Sequence, residues 1–180
     1  IRELGGDTCA YALLGGLPGE FLKELARPLD LRLRAVQILG NTRINAVMTD
    51  LKDLTQTRVN APGPRMKPSD LDPFMKTLLR AKPKPAFWVF GGSPPQGIKT
   101  SVYRDLIQAL QANGTPCVLD ADDEALRSGV EARPFMIKPN EYEMQRLTNV
   151  NLKTVPDYLK AAKSLAAKGI KVVVVSLGKR

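Results

Sequence analysis

The stretch Pro116–Glu143, PCVLDADDEALRSGVEARPFMIKPNEYE, holds the pattern that decides the fold. It contains two short apolar runs, Pro116–Asp120 and Pro134–Lys138, on either side of an acidic segment. Each run has the length of a buried strand and ends in a charged residue. Strands that alternate with helices are typical of a mostly parallel sheet with helices packed against it. The stretch therefore predicts an α/β fold.

The same alternation continues on both sides of this stretch. Buried strands are predicted at Asp7–Leu14, at Ala86–Phe90 and in the valine run Lys171–Ser176, which we expect to be a central strand. Polar or glycine-rich residues follow four of the predicted strands: Gly91-Gly92-Ser93, Asp120-Ala121-Asp122, Lys138-Pro139-Asn140 and Ser176-Leu177-Gly178. In open α/β sheets ligands bind beyond the carboxyl ends of the strands. These residues are therefore the first candidates for a site.

Residues 32–60 have a different pattern of polar and apolar residues. Three segments, Arg32–Leu39, Arg43–Thr49 and Thr55–Asn60, mix polar and apolar residues with a period of two. This alternation predicts strands of a sheet with at least one solvated face. We expect residues 32–60 to contribute strands to a small β lid, and residues 1–180 to form one α/β domain. Because the chain opens with Ile1 and stops directly after a strong strand, we expect that domain to be incomplete at both ends.

Composition narrows the classes of function. The chain is 43% hydrophobic and 25% charged, which is ordinary for a globular protein, and no apolar run reaches the length of a membrane span. Cys9 and Cys117 lie in apolar segments without metal-ligand spacing, which suits free thiols in a reducing cytoplasm. The absence of histidine excludes His-based triads and His-ligated zinc. We expect a cytoplasmic protein with no membrane partner.

The formal charge is +9, from 27 Lys and Arg against 18 Asp and Glu. Such a balance attracts anions, including phosphate-bearing small molecules, although a solvated basic surface explains it equally well. The basic residues are scattered and have no aromatic residues interleaved among them, so nothing favours a nucleic-acid partner.

The segment Gly92–Thr100 nearly matches the phosphate-binding P-loop, G-x-x-x-x-G-K-[ST]. Ile98 shifts Lys99 out of position, and Pro94 and Pro95 lack the N–H groups that such a loop directs at phosphates. We reject a P-loop here.

The segment Lys138–Glu143 is the most specific candidate motif for a functional site in the sequence. A lysine at a strand end can neutralise nucleotide phosphates, and Asn140 and Glu143 at a helix start can hold the water shell of Mg²⁺. The same Asn and Glu also fit a capping box that needs no ligand. Both roles are compatible, because a helix N-terminus favours anions.

Two weaker candidates leave alternatives open. Arg43 and Asn45 would share one face of a strand, where the guanidinium could grip a phosphate or simply be solvated. Asp120, with the acidic residues 122–124, could hold a metal, or could belong to a helix start enriched in acids.

In their order and spacing, these motifs resemble the phosphofructokinase B branch of the ribokinase family, and most of all its 1-phosphofructokinase and tagatose-6-phosphate kinase group. The residues that carry the resemblance span the chain: Leu4-Gly5-Gly6 through Gly15-Gly16, Thr42-Arg43-Ile44-Asn45, Asn60-Ala61-Pro62-Gly63-Pro64, Gly92-Ser93 to Gly97, Val118-Leu119-Asp120, Lys138-Pro139-Asn140 with Glu143, and Val175-Ser176-Leu177-Gly178.

The resemblance implies a ribokinase-like fold and an ATP-dependent sugar-phosphate kinase that acts on a ketohexose phosphate with Mg²⁺. It implies a homodimer through the lid sheet as a possible assembly. The implied substrate-binding residues are Arg43, Asn45 and Ser93, and the implied ATP-binding residues are Lys138, Ser176 and Gly178. Asn140 and Glu143 are implied to bind Mg²⁺ through water, and Asp120 is a further residue near that site.

Two family motifs are absent from these residues. A Gly-Gly-x-x-x-Asn sugar-binding motif is expected before Ile1, and a Gly-Ala-Gly-Asp motif with the catalytic aspartate is expected beyond Arg180. We therefore expect no catalytic residue within the chain. The alternative to kinase activity is a non-catalytic fragment that retains nucleotide or sugar-phosphate binding.

Overall fold

The computed structural model describes residues 1–178, apart from the side chain of Arg2, and has an α/β fold. The strands are β1 (Ala10–Leu14), β2 (Leu33–Gln37), β3 (Asn45–Thr49), β4 (Gln56–Asn60), β5 (Trp88–Gly91), β6 (Cys117–Asp120), β7 (Met136–Ile137) and β8 (Val172–Val173). The α-helices are α1 (Gly16–Ala26), α2 (Asp72–Leu79), α3 (Val102–Ala112), α4 (Asp123–Glu131), α5 (Glu141–Thr148) and α6 (Val155–Ala167). Short 3-10 turns occupy Arg2–Leu4 and Pro68–Leu71.

The chain divides into two compact units. The first comprises Ile1–Phe74 with Pro95–Gly97, and the second comprises Met75–Pro94 with the chain from Ile98 onward. That these units fold as the single domain expected from the sequence stays a prediction.

The second unit is built on a four-stranded parallel sheet in the order β5-β6-β7-β8. Helices connect the strands, as the alternation in Pro116–Glu143 predicted. Its core joins the apolar stripes of α3 and α4 to the strands, with Ile107, Leu110, Leu119, Leu126 and Ile137 all fully buried. The α/β prediction is confirmed.

The strand in the valine run, β8, does not have the central position in the sheet that the sequence predicted. Within residues 1–178, β8 lies at one end of the sheet order and pairs only with β7, so the prediction of a central strand is wrong for this chain. Val172 and Val174 are 36% and 41% exposed. Consecutive valines indicate a segment that can be covered on both faces, but they do not specify how many strands pair with it.

The first unit contains two separate pairs of strands. β1 pairs with β2 in parallel, whereas β3 and β4 form an antiparallel pair whose ten residues are all exposed. The expectation that Arg32–Leu39 joins the other two segments in one small sheet is therefore wrong. The alternation of polar and apolar residues identifies a strand but does not specify which strand it pairs with. Here Leu33 through Gln37 pair in register with Ala10 through Leu14. That the β3–β4 pair acts as a lid stays a prediction.

In the part of the chain that is described, no helix is both long and apolar enough to cross a membrane. Both cysteines are free, with Cys117 buried and Cys9 half-buried.

Candidate functional site

Several predicted site residues meet at the carboxyl edge of the parallel sheet in the second unit. The strand register places Gly91 opposite Asp120, at the ends of β5 and β6. Beyond β7 and β8 the two chains stay together, because Asn140 and Ser176 form a parallel bridge in which the Ser176 N–H donates to Pro139 O at 3.1 Å. Parallel pairing thus brings four strand ends to one edge.

Lys138 and Asp120 form an ion pair at this edge. The Lys138 ammonium lies 3.2 Å from Asp120 Oδ1, and the two side chains are 42% and 45% exposed. The backbone holds them in register, since the Lys138 N–H donates to Leu119 O at 3.1 Å. A pair this accessible to solvent contributes less than about 1 kcal/mol, so an incoming anion can compete with the carboxylate for the lysine. Sequence reasoning missed this pairing, because the two residues are brought together by strand register alone.

Asn140 and Glu143 form the capping box of α5. The Glu143 N–H donates to Asn140 Oδ1 at 3.0 Å, and the Asn140 N–H donates to Glu143 Oε2 at 2.8 Å. The Asn140 amide also donates to Glu143 Oε1 at 2.6 Å. The capping interpretation is confirmed. Each carboxylate oxygen keeps further lone pairs, so the capped residues can still accept hydrogen bonds from metal-bound water.

Ser176 and Gly178 follow β8 and are both exposed. Ser176 is held beside Asn140 by the parallel bridge. Gly178 has a φ of +61°, and among the described residues other than its chain neighbours no atom lies within 4 Å of the position of an added Cβ. This loop therefore presents backbone and a hydroxyl next to the N-terminus of α5.

Ser93 lies two residues beyond Gly91 at the same edge and is exposed. The turn before it is held by Tyr103 of α3, whose hydroxyl lies 3.1 Å from Gly91 O and 2.8 Å from Gly92 O. Gly92 has a φ of +85°, a conformation that favours glycine. Tyr103 was not singled out from the sequence, where it looks like an ordinary member of an apolar helix stripe.

The Gly92–Thr100 segment does not lead directly from a glycine-rich loop into a helix. Gln96 O accepts from the Met66 N–H at 2.8 Å, and α3 starts only at Val102. A phosphate-binding P-loop places its Lys and Thr at the helix start. The rejection of that motif agrees with this geometry.

Arg43 and Asn45 lie in the first unit. Asn45 begins β3 and pairs with Asn60, whereas Arg43 precedes the strand in a loop, so the expectation that both lie on one strand face is wrong. The chain just before β3 does not pair with β4, because the Thr42 N–H donates instead to Gly15 O at 2.8 Å. The Arg43 side chain is exposed, and its Cδ lies 3.8 Å from the position of a Cβ built on Gly63.

Two of the acidic residues after β6 are paired with basic ones. Asp123 pairs with Arg146, and Glu124 lies 3.3 Å from Arg127. In the range 1–178, no three His, Cys, Asp or Glu residues are grouped so that they could hold a metal ion. The helix-start interpretation fits Asp123 and Glu124, which occupy the first turn of α4.

This fold is shared with known proteins. Phosphofructokinase-2 from Escherichia coli, solved in complex with fructose-6-phosphate, matches 98% of the chain with a TM-score of 0.89 and 30% identity, and 59% of its own chain is covered. A possible 1-phosphofructokinase from Thermotoga maritima matches 98% of the chain with a TM-score of 0.85 and 28% identity, covering 56% of that chain. The structure thus has the ribokinase-like fold of this class of kinases.

The sequence comparisons specify the family. The family model described as pfkB family carbohydrate kinase matches residues 1–180, and the chain belongs to that family. The 1-phosphofructokinase of Vibrio cholerae is 30% identical over 178 residues, which are 99% of this chain and 56% of that protein. The chain therefore spans little more than half the length of the curated relatives that it matches.

Proposed function

We propose that the protein containing this chain is an ATP-dependent sugar-phosphate kinase that phosphorylates a hydroxyl of a ketohexose phosphate. The observation that carries the proposal is the convergence of Lys138, Asp120, Asn140, Glu143 and Ser176 at one edge of a parallel sheet, in a pfkB-family chain. Phosphoryl transfer depends mainly on positioning and charge neutralisation, which are the properties that these residues offer.

At the nucleotide end, Lys138 is the cation that would neutralise ATP phosphates. Its only ion-pair partner in the described chain is Asp120, and that pair is exposed. The N-terminus of α5 and the Ser176–Gly178 loop lie beside it and add backbone dipoles that favour anions.

The residues present fit a hydrated Mg²⁺ better than a directly ligated one. The carboxylate of Glu143 is already hydrogen-bonded at both oxygens, and no cluster of three acidic ligands occurs within residues 1–178. Mg²⁺ retains several waters in phosphate-binding sites. Bound with ATP, it would supply charge neutralisation at the transferred phosphate; Asn140 and Glu143 would orient its waters, with Asp120 as a third acceptor.

At the sugar-phosphate end, we assign Arg43, Asn45 and Ser93. The exposed guanidinium of Arg43 can form paired hydrogen bonds to a phosphate, and Ser93 offers a hydroxyl at the end of β5. The relatives named above act as phosphofructokinases, which supports a ketohexose phosphate as the substrate class.

The deciding experiment is an assay of the full-length protein with MgATP and, separately, fructose 1-phosphate, fructose 6-phosphate and tagatose 6-phosphate. We expect turnover of at least one of them. Lack of turnover with all three would contradict the proposal.

A second candidate concerns the 180 residues by themselves. They contain no Gly-Ala-Gly-Asp sequence, which favours binding without catalysis. Purified residues 1–180, added to the same assay at high concentration, should give no turnover above the blank. Measurable phosphoryl transfer would overturn this candidate.

We further propose that the β3–β4 pair serves as the lid and joins two copies of the full-length protein. Its ten residues are exposed, including Val47, Met48 and Val59, and exposed strand edges favour pairing with a second chain. Light scattering of the full-length protein should give a dimer, and a Val47→Glu variant should shift it toward a monomer. An unchanged mass in that variant would argue against this interface. The cytoplasmic location stays a prediction.

A further inference from the structure

The loop that carries Arg43 is tied to the turn between β1 and α1 by two hydrogen bonds that run in opposite directions. The Gly15 N–H donates to Thr42 Oγ1 at 2.9 Å, and the Thr42 N–H donates to Gly15 O at 2.8 Å. The two residues are 27 positions apart in sequence. A pair of opposed bonds fixes both the separation and the relative rotation of the two backbones, which one bond would not do.

The glycines of the turn allow this close approach. A Cβ on Gly15 would overlap the carbonyl oxygen of Gly40, and one on Gly16 would overlap Asn41 Oδ1. A Cβ on Gly19, one turn into α1, would lie 3.1 Å from Thr42 Oγ1. The loop is therefore packed directly on the turn and the first turn of α1, and at these three glycines no side chain of the turn or helix separates them.

Arg43 is the next residue after this tether. In residues 1–178 its guanidinium has no hydrogen-bond or ion-pair partner, so nothing at its far end determines where it points. A long arginine side chain that is free at its tip depends on its backbone for its position. Without the Thr42 hydroxyl, the Gly15 N–H would lose its acceptor, and the loop would keep only one of its two hydrogen bonds to the turn.

We propose that Thr42 is a positioning residue for sugar-phosphate binding, acting through Arg43. The hydroxyl of Thr42 holds the loop on the Gly15–Gly16 turn, so that the backbone from which the Arg43 side chain extends is fixed before the substrate arrives. The loop is then already ordered in the free protein, so the entropy cost of ordering it does not weaken substrate binding. The proposal rests on the proposed function, because its readout is the binding of a sugar phosphate.

The test compares Thr42→Val with Thr42→Ser in the full-length protein. Valine keeps the branched shape and removes the hydroxyl, whereas serine keeps the hydroxyl. We expect Thr42→Val to raise KM for the sugar phosphate roughly tenfold, the usual consequence of losing one partner of a partly buried hydrogen bond. KM for ATP should not change, and Thr42→Ser should behave like the wild type.

Thr148→Val is the matched control. Thr148 also donates a hydroxyl hydrogen bond, to Met144 O at 2.8 Å, but it is the last residue of α5 and no ligand is assigned to it. It should leave both KM values unchanged. If Thr42→Val does not fold, as judged by its thermal unfolding, Thr42→Ala replaces it with the same expectations.

The outcomes separate the two proposals. A wild type that turns over no ketohexose phosphate refutes the proposed function. An active wild type whose Thr42→Val variant has an unchanged KM for the sugar phosphate refutes the positioning role. An equal rise in both KM values also refutes it, because this indicates general loosening of the fold.

Discussion

The guanidinium of Arg43 is exposed in the loop before β3 and is available to an anion. Replacing it by glutamine keeps a polar side chain of similar reach and removes the charge. We expect Arg43→Gln to raise KM for the sugar phosphate by roughly 10- to 100-fold, since charge-assisted hydrogen bonds contribute about 1.5–3 kcal/mol. KM for ATP should stay the same, as measured by steady-state kinetics of the full-length protein.

Arg80→Gln provides the control for loss of one positive charge. Arg80 is exposed after α2, and no ligand is assigned to it. It should leave both constants unchanged. An effect of Arg43→Gln on KM for ATP as large as that on KM for the sugar phosphate would contradict the assigned role.

Cys117 begins β6 and is fully buried, and this burial raises the pKa of its thiol to about 11. The thiolate is the reactive form, so at pH 8 its fraction should be roughly a hundredfold below that of an ordinary thiol. We expect iodoacetamide to modify Cys9 in the folded protein and Cys117 only after denaturation. Peptide mapping by mass spectrometry distinguishes the two sites. Modification of both at similar rates without denaturant would contradict the burial of Cys117.

At the scale of elements, two helices begin with the same kind of capping box. Asn140 and Glu143 cap α5, and Thr154 and Asp157 cap α6. Only the α5 box lies beside Lys138 and Ser176. Substitutions in the two capping boxes can therefore be compared, to distinguish the effect of losing a cap from an effect on metal binding.

We expect Asn140→Ala and Thr154→Ala each to lower the free energy of unfolding by about 1 kcal/mol, the usual cost of losing a cap. Urea unfolding measures this. Asn140→Ala alone should raise the Mg²⁺ concentration that gives half-maximal activity. If Thr154→Ala raises the Mg²⁺ requirement equally, or if neither variant does, Asn140 acts only as a cap.

Over the whole molecule, the exposed apolar side chains of α1 stand out. Leu17 and Phe21 are 85% and 63% exposed, one turn apart on the same helix. Contiguous exposed apolar surface is uncommon in soluble monomers and binds hydrophobic dyes or other chains. We expect residues 1–180 alone to enhance the fluorescence of the dye ANS at neutral pH.

Leu17→Glu with Phe21→Glu should reduce that fluorescence and increase the solubility of the 180-residue chain, with unchanged far-UV circular dichroism. Gln substitutions at Lys160 and Lys163, on the exposed part of α6, control for the same change in net charge. Dye binding that is unaffected by the α1 substitutions would place the apolar surface elsewhere.

Local features of this protein were predictable from the sequence. The Asn140–Glu143 box was identified from its spacing, because a cap and its partner lie within one helical turn. The strand at Cys117–Asp120 was recognised from a short apolar run, and the placement of its last residue, Asp120, at the carboxyl edge of the sheet followed from the alternation of strands and helices. The motifs also identified the family that the comparisons establish.

The tertiary structure decided which distant segments meet. It paired β2 with β1 rather than with the β3–β4 pair, joined Lys138 to Asp120, and tied Thr42 to Gly15. Periodicity and capping are short-range properties, so they define elements but not the partners of those elements. Partner choice depends on burial and hydrogen bonding summed over residues far apart in the chain, and this is why the anchor of the Arg43 loop could not be inferred until the fold was known.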